Sequence, residues 1–160
     1  MLKIRDATKT DAALILQLIR DLAEYEREPD AVLATEEDLL RDGFGEEPKF
    51  RVVIAEWNGA PAGFAFYFHH YSTWLGRAGI FLEDLFVKPE LRGKGIGKAL
   101  LAHLAKIAAK NGYYGVKWEV LDWNQPAIDF YENLGAEIRK PWLTVRITGD
   151  AFRKLAADGD

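Results

Sequence analysis

Between Leu85 and Lys98 the chain reads Leu-Phe-Val-Lys-Pro-Glu-Leu-Arg-Gly-Lys-Gly-Ile-Gly-Lys. An apolar run stops at Pro89, and Arg92 follows with three alternating glycines, Gly93, Gly95 and Gly97. Apolar residues then recur at helical spacing. A strand, a tight turn of bare backbone and a helix start, in that order, gather unpaired N–H groups and the positive end of a helix dipole at one spot. The chemistry this suits is anion binding. Arg92, Lys94 and Lys98 add charge, and the pattern reads as a cradle for a pyrophosphate. A Walker A loop does not fit, because Ala99 follows Lys98 where a hydroxyl must meet Mg²⁺ and Arg92 stands at the required first glycine. The dinucleotide fingerprint fails on its glycine spacing.

Two further places hold groups that can move protons. Glu83 and Asp84 are adjacent acids inside an otherwise apolar stretch, which is costly unless they have partners. In a regular strand they point to opposite faces, so without a bulge only one lines a given cleft, and Glu83 shares parity with Leu85 and Val87. Tyr131 lies on a short helical stretch, Gln125 to Leu134, sharing a face with Ala127 and Leu134. From residue types alone it reads more readily as a core aromatic beside Phe130. His69, His70 and His103 have no ligand spacing, so no metal site is expected.

The elements that must position these groups follow from periodicity and punctuation. Leu2 to Arg5 alternates as a half-buried strand does, and Asp11 to Glu26 carries apolar residues at helical spacing. Thr35 caps a short helix running to Arg41. Phe50 to Trp57 and Ala62 to His70 form strands about an Asn58-Gly59 turn, with Ile80 to Val87 as a central strand. Gly97 to Lys110 is a helix, and Gly115 to Leu121 is strand-like. Asn124 caps a helix with Pro126 in its first turn; Trp142 to Thr148 alternates as a strand, and a last helix follows Gly149. This order predicts an α/β fold: a mixed sheet flanked by helices, in one domain over residues 1–160.

The 160 residues suffice for a real core. A net charge of −4 offers no basic surface, so nucleic acid is not an expected partner. No apolar run approaches the roughly 20 residues of a membrane span, and the start of the chain has no signal-peptide core, so the expected place is the cytoplasm. The absence of cysteine excludes disulfides, thiolate metal sites and a cysteine nucleophile.

The segment Arg-Gly-Lys-Gly-Ile-Gly, set between strand and helix, is the pattern of a coenzyme A pyrophosphate loop, and the chain resembles the GNAT family of N-acetyltransferases. Leu22-Ala23-Glu24-Tyr25-Glu26, Asp42-Gly43-Phe44-Gly45, Leu82 to Val87 and Trp123 to Tyr131 are similar to its spermidine/spermine and thialysine branch. The resemblance implies an acetyl-CoA-dependent transfer to a small primary amine, with a homodimer as the assembly. It implies that Leu85, Phe86 and Val87 meet the acetyl-pantetheine arm through their backbone and that Arg92, Gly93, Lys94, Gly95, Ile96, Gly97 and Lys98 hold the pyrophosphate. Asn124, Pro126, Ala127 and Tyr131 complete the implied cofactor site. Tyr131 is the implied proton donor to the departing thiolate, and Glu83 the implied base or ammonium holder. Tyr25, Glu26, Asp84, Glu119 and Trp142 are assigned to the substrate side. Ser72 and Lys140 depart from the polyamine pattern, which carries acids there, and so favour lysine-like amino acids or short diamines over long polyamines. A non-catalytic acyl-CoA-binding regulator and a protein-lysine acetyltransferase remain open as alternatives.

Overall fold

Asp11 ties the first strand to the first helix. Its carboxylate accepts the Thr8 N–H at 2.7 Å and a two-pronged ion pair from the Arg5 guanidinium at 2.8 and 2.9 Å. That pairing, through the Arg5 hydrogen bonds first of all, pulls the Asp11 pKa down to about 2. Arg5 lies in β1 (Leu2–Asp6) and also donates to Glu56 at 2.6 Å. The computed structural model describes residues 1–159, which fall into two compact units, Met1–Glu119 and Val120–Asp160.

The first unit holds β1, α1 (Ala12–Tyr25), α2 (Glu36–Gly43), β2 (Arg51–Trp57), β3 (Ala60–Ser72), β4 (Arg77–Val87), α3 (Ile96–Lys110) and β5 (Val116–Trp118). The strands lie in the sheet in chain order, antiparallel except for the last pair. β4 and β5 are parallel because α3 carries the chain back across the sheet between them. Helices cover both faces, so β2 is buried continuously from Val52 to Ala55 rather than alternately. On one face Ile15, Leu18 and Leu22 of α1 and Leu39 of α2 pack with Val52, Ile54, Phe64 and Phe86. Ile15 and Leu18 are fully withdrawn from water, each contributing roughly 2 kcal/mol. Ile96, Leu100 and Leu104 of α3 are buried in the same unit. The Thr35 side chain accepts from the Asp38 N–H and the Asp38 carboxylate from the Thr35 N–H, so a capping box starts α2.

The second unit holds α4 (Gln125–Asn133) and α5 (Gly149–Ala157). The expected strand at Trp142–Thr148 does not form. Leu143 and Val145 are 86% and 92% exposed, and the segment pairs with no strand among the described residues. Alternation makes a strand only where a partner and a buried face exist. The stretch from Gly115 to Leu121 shortens for a related reason: β5 pairs with β4 at Val116, Lys117 and Trp118 alone.

Candidate active site

In the first unit, β4 carries the site and changes character in its middle. Phe64 pairs with Phe86 and Phe66 with Asp84, yet Tyr67 pairs with Leu82, so Glu83 is an extra residue in the ladder. This bulge resets the alternation. Asp84 shares the α1 face with Phe86 and Phe66, while Leu82 and Leu85 take the other face opposite Tyr67 and Ala65. Glu83 itself pairs with no residue of β3, so alternation with Leu85 and Val87 does not by itself fix the face it takes. β5 pairs only with Ile80, Phe81 and Leu82, and among the described residues no strand pairs with that edge of β4 from Glu83 to Val87. The bulge and the end of the parallel ladder coincide.

Asp84 is the more buried of the two acids and Glu83 the exposed one. Burial raises the Asp84 pKa to about 7, helped by the charges of Glu83 and Glu26. Glu26, at the end of α1, is itself raised by burial. Two of the expected substrate-side acids, Glu83 and Glu26, thus act on the third. Gathered carboxylates with too little solvent attract a cation or retain a proton. Glu119 follows β5 on the surface.

After Val87 the chain makes a 3-10 turn, Pro89–Leu91, and enters the glycine loop. Gly93 and Gly95 have φ of 77° and 80°, left-handed values that a side chain disfavours, while a Cβ at either would meet nothing. Backbone conformation, not crowding, is what requires glycine there. Buried Ile96 anchors the start of α3, which has no side-chain cap and no acid in its first turn. The Ile96, Gly97 and Lys98 N–H groups have no acceptor within the helix. Arg92 and Lys94 both rest on aromatic rings. The Arg92 Cζ lies 4.4 Å from the Tyr25 centroid and 5.7 Å from that of Phe86, and its Nε donates to the Val87 carbonyl at 3.0 Å. Lys94 Nζ is 5.6 Å from the Trp57 ring. Tyr25 and Phe86 also line an open cleft of 480 Å³ with Lys88, Pro89 and Glu90 at its rim. Trp57 was not foreseen as a loop support, since nothing in residue spacing links it to Lys94. Gly63 did carry a readable sign: a Cβ there would come 2.3 Å from the Phe86 carbonyl oxygen, the close backbone approach that a glycine inside a strand marks.

In the second unit, the Asn124 side chain accepts from the Ala127 N–H at 3.3 Å and caps α4, with Pro126 in the first turn. Tyr131 lies half-buried on α4, its ring 5.4 Å from that of Phe130. Trp142 is 70% exposed.

A family profile described as the Acetyltransferase (GNAT) family matches residues 15–136. The chain belongs to the GNAT family. It is an N-acetyltransferase. Its sequence is 43% identical to a thialysine N-epsilon-acetyltransferase of Sus scrofa, over 96% of each chain. It is 32% identical to an L-ornithine N5-acetyltransferase of Arabidopsis thaliana, over 96% of this chain and 87% of that one. Among solved structures, an integron cassette protein from the mobile metagenome of V. cholerae superposes with a TM-score of 0.81 at 28% identity, covering 97% of both chains. The GNAT histidines have structural partners: His70 Nε2 is 2.6 Å from the Tyr114 hydroxyl, and His69 stands edge-on to Tyr113. No helix among the described residues of this GNAT chain is long and apolar enough to cross a membrane.

Proposed function

We propose that the protein transfers the acetyl group of acetyl-CoA to the primary amine of a small lysine-like amino acid, thialysine-like amino acid or short diamine. The observation that carries this is the half-buried Asp84 of β4, whose pKa burial raises to about 7 with the charges of Glu83 and Glu26 adding to the rise. An alkylammonium entering there gains partners for its charge. Its nitrogen must lose a proton before it can attack, at a cost of roughly 4–5 kcal/mol at neutral pH for a pKa near 10.4. Asp84, poised near neutrality, is better suited than exposed Glu83 to accept that proton, and Glu83 and Glu26 hold the ammonium. The lone pair then attacks the thioester carbonyl carbon, the carbon–sulfur bond breaks, and the thiolate takes a proton, for which the family likeness assigns Tyr131.

The donor side rests on the glycine loop and on the unpaired edge of β4, where the Leu85 N–H is the assigned partner of the acetyl oxygen. Asn124, Pro126 and Ala127 are carried over as coenzyme A contacts, and Trp142 and Glu119 as substrate-side residues. Both units serve one catalytic domain in this reading, as the matched range crosses residue 119. A cytoplasmic homodimer is carried over from the branch.

A steady-state screen of lysine analogues, diamines and polyamines against acetyl-CoA, read by free thiol, tests the reading. Lysine-like amino acids and short diamines are expected to exceed spermidine in kcat/KM. Spermidine far ahead of every other amine overturns the choice of acceptor. Coenzyme A binding with no thiol released for any amine favours the regulatory alternative.

A further inference from the structure

We propose that Tyr25 is a positioning residue for the donor, holding the Arg92 guanidinium at the mouth of the glycine loop, rather than a contact of the amine. This rests on reading that loop as the coenzyme A pyrophosphate site. The geometry is specific. The guanidinium carbon stands 4.4 Å from the Tyr25 ring centroid, within cation–π range, with Phe86 at 5.7 Å as a second ring. The Arg92 Nε–H is committed to the Val87 carbonyl at 3.0 Å. A ring and one hydrogen bond fix the guanidinium plane, and the four N–H groups of Nη1 and Nη2 remain for a ligand's oxygens.

The platform is itself rigid. Tyr25 packs against the core cluster that contains Leu22, Phe64 and Phe86. Just beyond it, α1 ends in a hydrogen-bonded turn in which the Glu28 N–H reaches the Ala23 carbonyl and the Arg27 N–H the Glu24 carbonyl. Arg92, by contrast, is exposed on a loop between two left-handed glycines and a 3-10 turn. A long side chain there loses rotamer freedom when it binds an anion, and stacking beforehand removes much of that loss. Adjacent residues where α1 ends thereby serve opposite partners: Tyr25 addresses the donor loop, and Glu26 addresses Asp84.

A double-mutant cycle on coenzyme A affinity tests this, using direct binding to the whole chain by calorimetry. Tyr25→Leu is expected to raise the Kd for coenzyme A roughly three- to tenfold, the range of a partly desolvated cation–π contact. Tyr25→Phe, which keeps the ring, stays within about twofold of wild type. In an Arg92→Met background Tyr25→Leu causes no further loss, and the pH dependence of kcat/KM is unmoved by either Tyr25 change. Equal losses from Tyr25→Leu in both backgrounds overturn the proposal, as does an unchanged Kd accompanied by a raised KM for the amine. The Arg92 arm alters only an exposed side chain, so the cycle does not depend on the packing at Tyr25. Failure of the wild-type chain to bind coenzyme A overturns the underlying reading of the loop, a result distinct from wild-type binding that Tyr25→Leu leaves intact.

Discussion

Burial and two carboxylate neighbours keep a proton on Asp84 until about pH 7. If that group accepts the ammonium proton, kcat/KM rises on an acid limb centred near 7, because the free enzyme must be ionised at Asp84 to react. Asp84→Asn abolishes the limb and lowers kcat/KM by roughly 10²–10⁴. Glu83→Gln keeps the limb and shifts it to lower pH, since one of the charges opposing ionisation is gone. A pH–rate series on the two variants checks this; an unmoved limb in Asp84→Asn removes Asp84 from proton transfer. The acid pair was legible as two charges in an apolar stretch. Which of them is buried was not, because that depends on one extra residue in the β4 ladder opposite Phe66 and Tyr67. Side-chain pattern within a strand carries no record of its partner's register.

At the scale of elements, the loop was readable because its requirements are local: a strand ended by Pro89, glycines at turn positions and a helix with a clear period. Gly95 shows how little of that depends on space. Alanine there meets no atom within 4 Å, yet must take φ of 80°, at a cost of about 1–2 kcal/mol. Gly95→Ala is expected to lower unfolding stability by about 1 kcal/mol in urea titration and to weaken coenzyme A binding more than tenfold, because relaxing the strain turns the Ile96 and Gly97 N–H groups away. Retained affinity would mean that those N–H groups are not the anion's partners. The Trp142–Thr148 segment fails as a strand for the converse reason. Its alternation is local, but a strand needs a partner from elsewhere in the chain, and none pairs with it among the described residues.

For the molecule as a whole, two aspartates set opposing pH dependences. Asp11 has its pKa lowered to about 2 from 3.8, so its ion pair with Arg5 stabilises the fold above about pH 4 and loses that effect as pH falls through 2. After screening by nearby solvent this amounts to roughly 1–2 kcal/mol. Asp84 has its pKa raised from 3.8 to about 7, so its contribution is complete below pH 4 and lost as pH rises through 7, by up to roughly 4 kcal/mol. Urea midpoints are therefore expected to be higher near pH 4 than at pH 8 or pH 2. Asp84→Asn should gain stability over wild type at pH 8 and match it at pH 4. A flat difference between those two pH values would remove Asp84 as the source of the alkaline loss.

The half of β4 beyond Leu82 has a second meaning. A bare strand edge is a template on which another chain can add a strand and begin an aggregate. Here the first two residues of that edge are Glu83 and Asp84, and the ladder is broken by a bulge at the same point. An intruding strand would have to kink and to bury carboxylates against its own backbone. The acids proposed to receive a cationic substrate are thus also expected to oppose self-association along this edge. Neutralising both is expected to yield a chain that is less soluble as well as less active.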